Sequence, residues 1–238
     1  MQNQRHAVPR SGERAIDSGL RAHFQRVYNM MAIGLVLTGV LAYAVATTPV
    51  LLQIFMGNPI VMWTVFLAPL GIMFFGLTPS KIHRMSVGMV AALYLLITGL
   101  MGISLASIFL VYQIGDIARV FFITAATFSA TSIYGYTTRK DLSAMGSMMF
   151  MGLIGIVIAS IVNIFMKSTM MDFAISVIGV IVFTGLTAWD TQRIKESYSS
   201  SYGHESNMKM AIMGALNLYL DFINLFLMLL RLMGNNRN

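Results

Sequence analysis

The sequence predicts an all-α membrane protein, a seven-transmembrane-helix bundle with the last helix central. Three observations predict it. Hydrophobic residues make up 57% of the chain and charged residues only 11%, against about 25% charged in a soluble domain, so a water-soluble fold would have no adequate polar surface. Mean hydropathy is +0.73. Seven stretches approach or exceed the roughly 20 apolar residues that a 30 Å hydrocarbon core requires, at 27–46, 60–77, 86–110, 117–137, 144–166, 172–192 and 210–232.

Residues 1–26 precede the first span and are expected to form a flexible basic cytoplasmic arm. They set Arg5, Arg10, Arg14, Arg21 and Arg26 against Glu13 and Asp17, with Pro9, Ser11 and Gly12 among them. A short apolar core with a cleavage site is not recognisable there, so a removable secretory signal is not expected. The seven-helix domain then occupies 27–234. Thr48-Pro49 and Asn58-Pro59 bracket the first connection, and Thr78-Pro79-Ser80 ends the second span. Tyr112 to Asp116 and Arg139-Lys140-Asp141 read as short turns, and 193–209 is the longest connection. No loop is long enough for a soluble domain, so the function is expected within or across the bilayer.

Loop charge sets orientation, because Lys and Arg concentrate on the cytoplasmic side. With the N-terminus inside, twelve basic residues (Arg5, Arg10, Arg14, Arg21, Arg26, Lys81, Arg84, Arg139, Lys140, Arg193, Lys195, Lys209) face in and four (Arg119, Lys167, Arg231, Arg237) face out. The N-terminus is therefore expected in the cytoplasm and the C-terminus on the opposite side. The net charge of +7 reports this topology, and no nucleic-acid partner is expected.

Several chemistries are excluded. With no cysteine, disulfides and thiolate-bound metals are absent. Methionine clusters at Met148, Met149 and Met151 and at Met170 and Met171 read as apolar filler, because no histidine joins them. A retinal-type pump needs a mid-membrane lysine, yet Lys81, Lys140, Lys167, Lys195 and Lys209 all lie at segment ends. Serine hydrolysis needs a base beside the nucleophile, and His6, His23, His83 and His204 fall in loops or in the arm. Neither a His-Glu-x-x-His zinc motif nor a phosphate loop occurs. Intramembrane aspartyl proteolysis needs Tyr-Asp and Gly-x-Gly-Asp, which Trp189-Asp190-Thr191 and Leu220-Asp221-Phe222 do not match. No enzymatic activity and no resident cofactor are expected.

Two acids remain, Asp190 and Asp221, each inside an apolar stretch. An ionised side chain there is costly, so such residues face the bundle interior and mark ion or proton paths; the bland alternative is a protonated helix–helix hydrogen-bond partner. Asn217, Asp221 and Asn224 are spaced four and three apart on the last helix and share a face that lipid would not tolerate. Thr184, Thr187, Asp190 and Thr191 make the matching stripe on the sixth helix. Two adjacent carboxylates at low dielectric cannot both stay ionised, and deprotonated they offer the hard oxygens that Ca²⁺ prefers. One difficulty stands: at 1.5 Å per residue, Asp221 lies roughly 18 Å from the inner start of its helix and Asp190 only about 3 Å from the inner end of its own. Helix tilt, a cytoplasmic cavity or extension of helix six past Gln192 would be needed to bring them together.

Phe183-Thr184-Gly185-Leu186-Thr187-Ala188-Trp189-Asp190-Thr191-Gln192-Arg193-Ile194-Lys195 and Ala215-Leu216-Asn217-Leu218-Tyr219-Leu220-Asp221-Phe222-Ile223-Asn224-Leu225-Phe226 resemble the two signatures of the Bax-inhibitor family of multi-pass membrane proteins, whose bacterial branch includes the YccA-like proteins. The resemblance implies a seven-helix bundle around the last helix and a pH-sensitive calcium-permeable leak gated by an aspartate pair, here Asp190 and Asp221, which would also hold calcium transiently. It implies an arginine latch near the end of helix two, for which Arg84 is the candidate. The absence of a basic C-terminal tail points to a bacterial inner-membrane protein. Two other readings remain open. One is a membrane-embedded regulator that binds another membrane protein, such as a quality-control protease; the other is a calcium/proton exchanger. The expected partners are thus the lipid bilayer, calcium and protons, and in the regulator reading a membrane protein.

Overall fold

The computed structural model describes residues 11–199 and 201–235, with side chains from residue 18 onward. The described chain forms α1 (Ser11–Thr47), α2 (Pro49–Met56), α3 (Pro59–Gly71), α4 (Pro79–Ile82), α5 (Val87–Val111), α6 (Ile114–Thr137), α7 (Ser143–Met166), α8 (Thr169–Ser197) and α9 (His204–Met233). Seven of these segments are long and apolar enough to cross a membrane, with α3 counted together with the π-helical turn Ile72–Gly76 that continues it.

Local chemistry sets the boundaries. Proline opens α2, α3 and α4, where its missing N–H is no loss and its fixed φ suits the first turn. Asn58 caps α3 by accepting the Ile60 N–H at 2.9 Å, and Ser86 caps α5 through the Met89 N–H at 3.2 Å. Pro69 inside α3 removes a ladder donor, and the π turn follows within three residues, the usual response to a disturbed ladder. Lys167 closes α7 in the left-handed conformation, at φ 51°, so that α8 starts two residues later.

The flexible-arm expectation for 1–26 is corrected from residue 11 onward, because α1 already runs from Ser11. Phe24, Val27 and Met31 are buried, His23 with them, while Arg21 and Arg26 are exposed. Spacings of three and four place these apolar residues on one stripe, which extends the buried face of the first span about one turn toward the N-terminus. Residues 1–10 lie outside the described residues. The sixth and seventh spans are also longer than expected: α8 continues from 192 to Ser197, and α9 begins at His204 rather than 210.

The helix α9 packs against α1, α5, α6 and α8. The most apolar part of α9 is 67% buried, whereas the other six spans reach 11–33%. A large apolar cluster joins Leu216, Tyr219, Phe222, Ile223 and Leu230 of α9 to residues of α1, α5 and α6. A second joins α7, α8 and the Leu225 and Met228 face of α9. Both α3 and α7 lie outermost, and side chains such as Trp63, Phe74 and Phe165 point outward, 58%, 70% and 83% exposed. In lipid such faces incur no penalty, and packing and interhelical hydrogen bonds, not water exclusion, hold the helices together.

Candidate functional site

Register between α8 and α9 decides where the aspartates meet. Gly214 of α9 lies against Ile194, where an added Cβ would fall 2.9 Å from Cγ1, and Gly179 of α8 lies against Met228 at 2.7 Å by the same measure. These two contacts set α9 about two turns (~10 Å) out of step with a symmetric hairpin. The described residues of the connection, 198–199 and 201–203, lead past the end of α8 before α9 turns back. Asn207 fixes that detour by donating to the carbonyls of Ser199 and Tyr202, both at 3.1 Å. With α8 reaching about 10 Å beyond Asp190, the two acids come level and their carboxyl groups lie close enough to act on one another. Of the ways of bringing the acids level, extension of the sixth span past Gln192 is present.

Both groups are buried, Asp190 at 8% and Asp221 at 6% exposure, and Asp221 Oδ2 has no hydrogen-bond partner among the described residues. The arrangement sets two buried carboxyl groups together at a helix–helix contact, where both cannot stay ionised without strong repulsion.

A directed chain of hydroxyls runs beside it. Thr191 Oγ1 donates to the Thr187 carbonyl at 2.7 Å, so its contact with Ser132 Oγ at 2.9 Å must be donated by Ser132. The 2.6 Å contact between Tyr28 and Ser132 is then donated by Tyr28. This chain ties α1, α6 and α8 together one residue from Asp190. A second tie is built alike: Thr38 donates to the Thr98 carbonyl at 2.8 Å and accepts from Tyr219 OH at 2.7 Å, linking α1, α5 and α9.

The other expected site residues divide. Thr191 joins the hydroxyl chain. Thr187 is buried and donates to its own helix, at Phe183 O, 2.7 Å. Asn224 bonds its own helix at Leu220 O, 2.8 Å, and Asn217 is half-buried. Arg84 is exposed in the turn after α4 and makes no ion pair with either aspartate among the described residues. The cation whose charge acts on Asp190 is Arg193, which also lies 5.4 Å over the Trp189 ring. Sequence reasoning missed Arg193, although it lies three residues from Asp190, the spacing that shares a helix face. It also missed Ser132. Gly135, a small residue marking a close helix contact, would have pointed to the Phe128–Ser132–Gly135 face, which is the buried one.

Among the described residues no group of three or more acids or histidines is placed to hold a metal ion. The family model for the inhibitor of apoptosis-promoting Bax1 matches residues 20–238. The chain belongs to the Bax-inhibitor family. Its relatives in this family include the inner membrane protein YbhL of Escherichia coli, 44% identical over 222 residues that span 92% of this chain and 94% of YbhL. A Rickettsia prowazekii protein is 45% identical over 231 residues, 96% of this chain and 95% of its own. A Borreliella burgdorferi protein is 42% identical over 214 residues, 90% and 91%. Bax-inhibitor membership and the seven spans together make this an integral membrane protein.

Proposed function

We propose that this protein is a proton-gated calcium leak whose gate is the Asp190–Asp221 pair, with no enzymatic activity and no resident cofactor. The observation that carries the reading is the placement of two buried carboxyl groups beside one another on adjacent helices. With one proton shared, the contact holds α8 to α9. Removing that proton leaves two negative charges side by side at low dielectric, where repulsion is strong, and the helices part. The ionised pair then offers hard oxygens to Ca²⁺. Two carboxylates fall short of the six to eight oxygens that Ca²⁺ takes, which suits passing cargo better than a bound ion. Flux is thus greatest at the higher pH. The basic residues of the loops support an N-terminus in the cytoplasm and a C-terminus on the far side. The name of the Escherichia coli relative supports residence in a bacterial inner membrane.

Purified protein in liposomes is expected to pass Ca²⁺ at a rate that rises with pH. Asp190→Asn and Asp221→Asn should remove the pH dependence. Unchanged flux and profile in both variants would refute the gate. Flux equal to that of protein-free liposomes would refute the leak and favour a regulator that binds another membrane protein, such as a protease. A fixed ratio of protons to calcium would identify an exchanger instead.

A further inference from the structure

At the end of the bundle opposite the α8–α9 connection, a cavity of about 860 Å³ opens where α7 ends, α8 begins and α9 ends. Lys167, Arg231 and Asp172 all line it, together with Asn163, Ser160 and Tyr112. Neither the Lys167 ammonium nor the Arg231 guanidinium has an ion pair among the described residues. Asp116, the acid at the start of α6, is already engaged, by Arg119 at 2.9 Å and by the Asn235 N–H at 2.9 Å. That second bond fixes the end of α9 as a wall of the cavity.

The carboxylate is held differently. Asn163, only 6% exposed, donates to Asp172 Oδ1 at 2.7 Å. The same side chain clasps Ser168 through its N–H at 3.0 Å and its carbonyl at 3.2 Å. Asp172 is therefore anchored by a buried amide while its charge is unneutralised. Lys167 is the sole non-glycine residue at positive φ among the described residues, in a helix-ending position that glycine favours. The chain holds a lysine there at a conformational cost that a glycine would not incur.

Two free cations and one anchored anion thus share a cavity at the level where three spans end, the level of lipid headgroups. Beside it, Phe165, Met166, Met170 and Phe173 are 83%, 60%, 78% and 60% exposed, an apolar surface for acyl chains and of no use to a free phosphate ion. We propose that this cavity binds the headgroup of a phospholipid bearing a primary amine. Its phosphate oxygens pair with Lys167 and Arg231, its ammonium with Asp172, and its chains lie along the outer faces of α7 and α8. The site is independent of the leak and is read without any flux measurement.

The test is native mass spectrometry of the full chain in detergent, titrated with defined lipids. Phosphatidylethanolamine should bind about tenfold more tightly than phosphatidylcholine, whose quaternary ammonium has no N–H for Asp172. Asp172→Asn should abolish that preference. Lys167→Gly relaxes the backbone and so should fold at least as well, yet, like Arg231→Gln, it should weaken binding of phosphatidylethanolamine and phosphatidylcholine alike by about tenfold. Unchanged lipid binding in Lys167→Gly and Arg231→Gln would overturn the proposal. So would displacement of bound phosphatidylethanolamine by inorganic phosphate at matched concentration, or tighter binding of phosphatidylglycerol, which carries no amine.

Discussion

Gly135 of α6 lies directly against the carbonyl of Ala188 on α8, two positions before Asp190. Any side chain at 135 would strike backbone, which cannot swing aside as a flexible side chain can. Gly135→Ala is therefore expected to push α8 off α6, to lower stability by about 1–3 kcal/mol and to disturb the hydroxyl chain through Ser132. Thermal unfolding in detergent measures the first effect. A variant as stable as the parent would show that this contact does not fix the position of α8.

His23 presents the opposite situation. Its ring is fully buried, 5.2 Å from the Tyr198 ring and 6.4 Å from that of Phe24, and neither ring nitrogen has a hydrogen-bond partner among the described residues. Replacing an unsatisfied buried polar group by an apolar one of similar shape is neutral or stabilising. His23→Phe should accordingly leave the melting temperature unchanged or raise it. A clear drop would mean that the imidazole is bonded after all.

Gln192 holds the connection between α6 and α7 from below. Its side chain accepts from the Leu142 N–H and donates to the Lys140 carbonyl, both at 2.8 Å. Gln192→Leu strips partners from two backbone groups, at a cost of about 1–3 kcal/mol, and loosens 138–142. Limited proteolysis in that stretch should accelerate. Equal cleavage rates would count against the assignment.

Asp141, outside the spans, supplies a pH dependence with a definite sign. Hydrogen bonds from the Ser143 side chain and N–H hold its carboxyl below the usual carboxylate range, the N–H at 2.8 Å. Because the folded value lies below the unfolded one, this support for the first turn of α7 is complete above the unfolded value of about 4. It is lost as pH falls through the lower folded value. Hydrogen exchange at the Ser143 amide should therefore show an extra loss of protection on acidification, once the intrinsic rate is allowed for. Asp141→Asn should remove that component, and its persistence in the variant would place the sensitive group elsewhere.

Composition and span length made the fold class legible, and the aspartates stood out because a carboxyl group in an apolar stretch needs a reason. Their pairing was implied by the matching polar stripes and by the resemblance, but the geometry behind it was not legible. It depends on the two-turn offset that the detour after α8 imposes, and that offset rests on Asn207 and on glycine contacts, which a hydropathy pattern does not carry. The start of α1 was obscured by arginines: Arg21 and Arg26 make the segment look solvated, while the Phe24–Val27–Met31 stripe between and beyond them is the buried face. Ser132 escaped because its importance comes from neighbouring helices, whereas Arg193 acts within its own helix and could have been read from its spacing to Asp190.

Being hemmed in by α1, α5, α6 and α8 denies α9 any solitary motion. A shift of this rod by even a fraction of a turn must unseat Tyr219 from Thr38, Gly214 from Ile194 and Met228 from Gly179 in one event. Whatever drives it will therefore produce an all-or-none response, with steepness set by side-chain interlocking as much as by any titrating group.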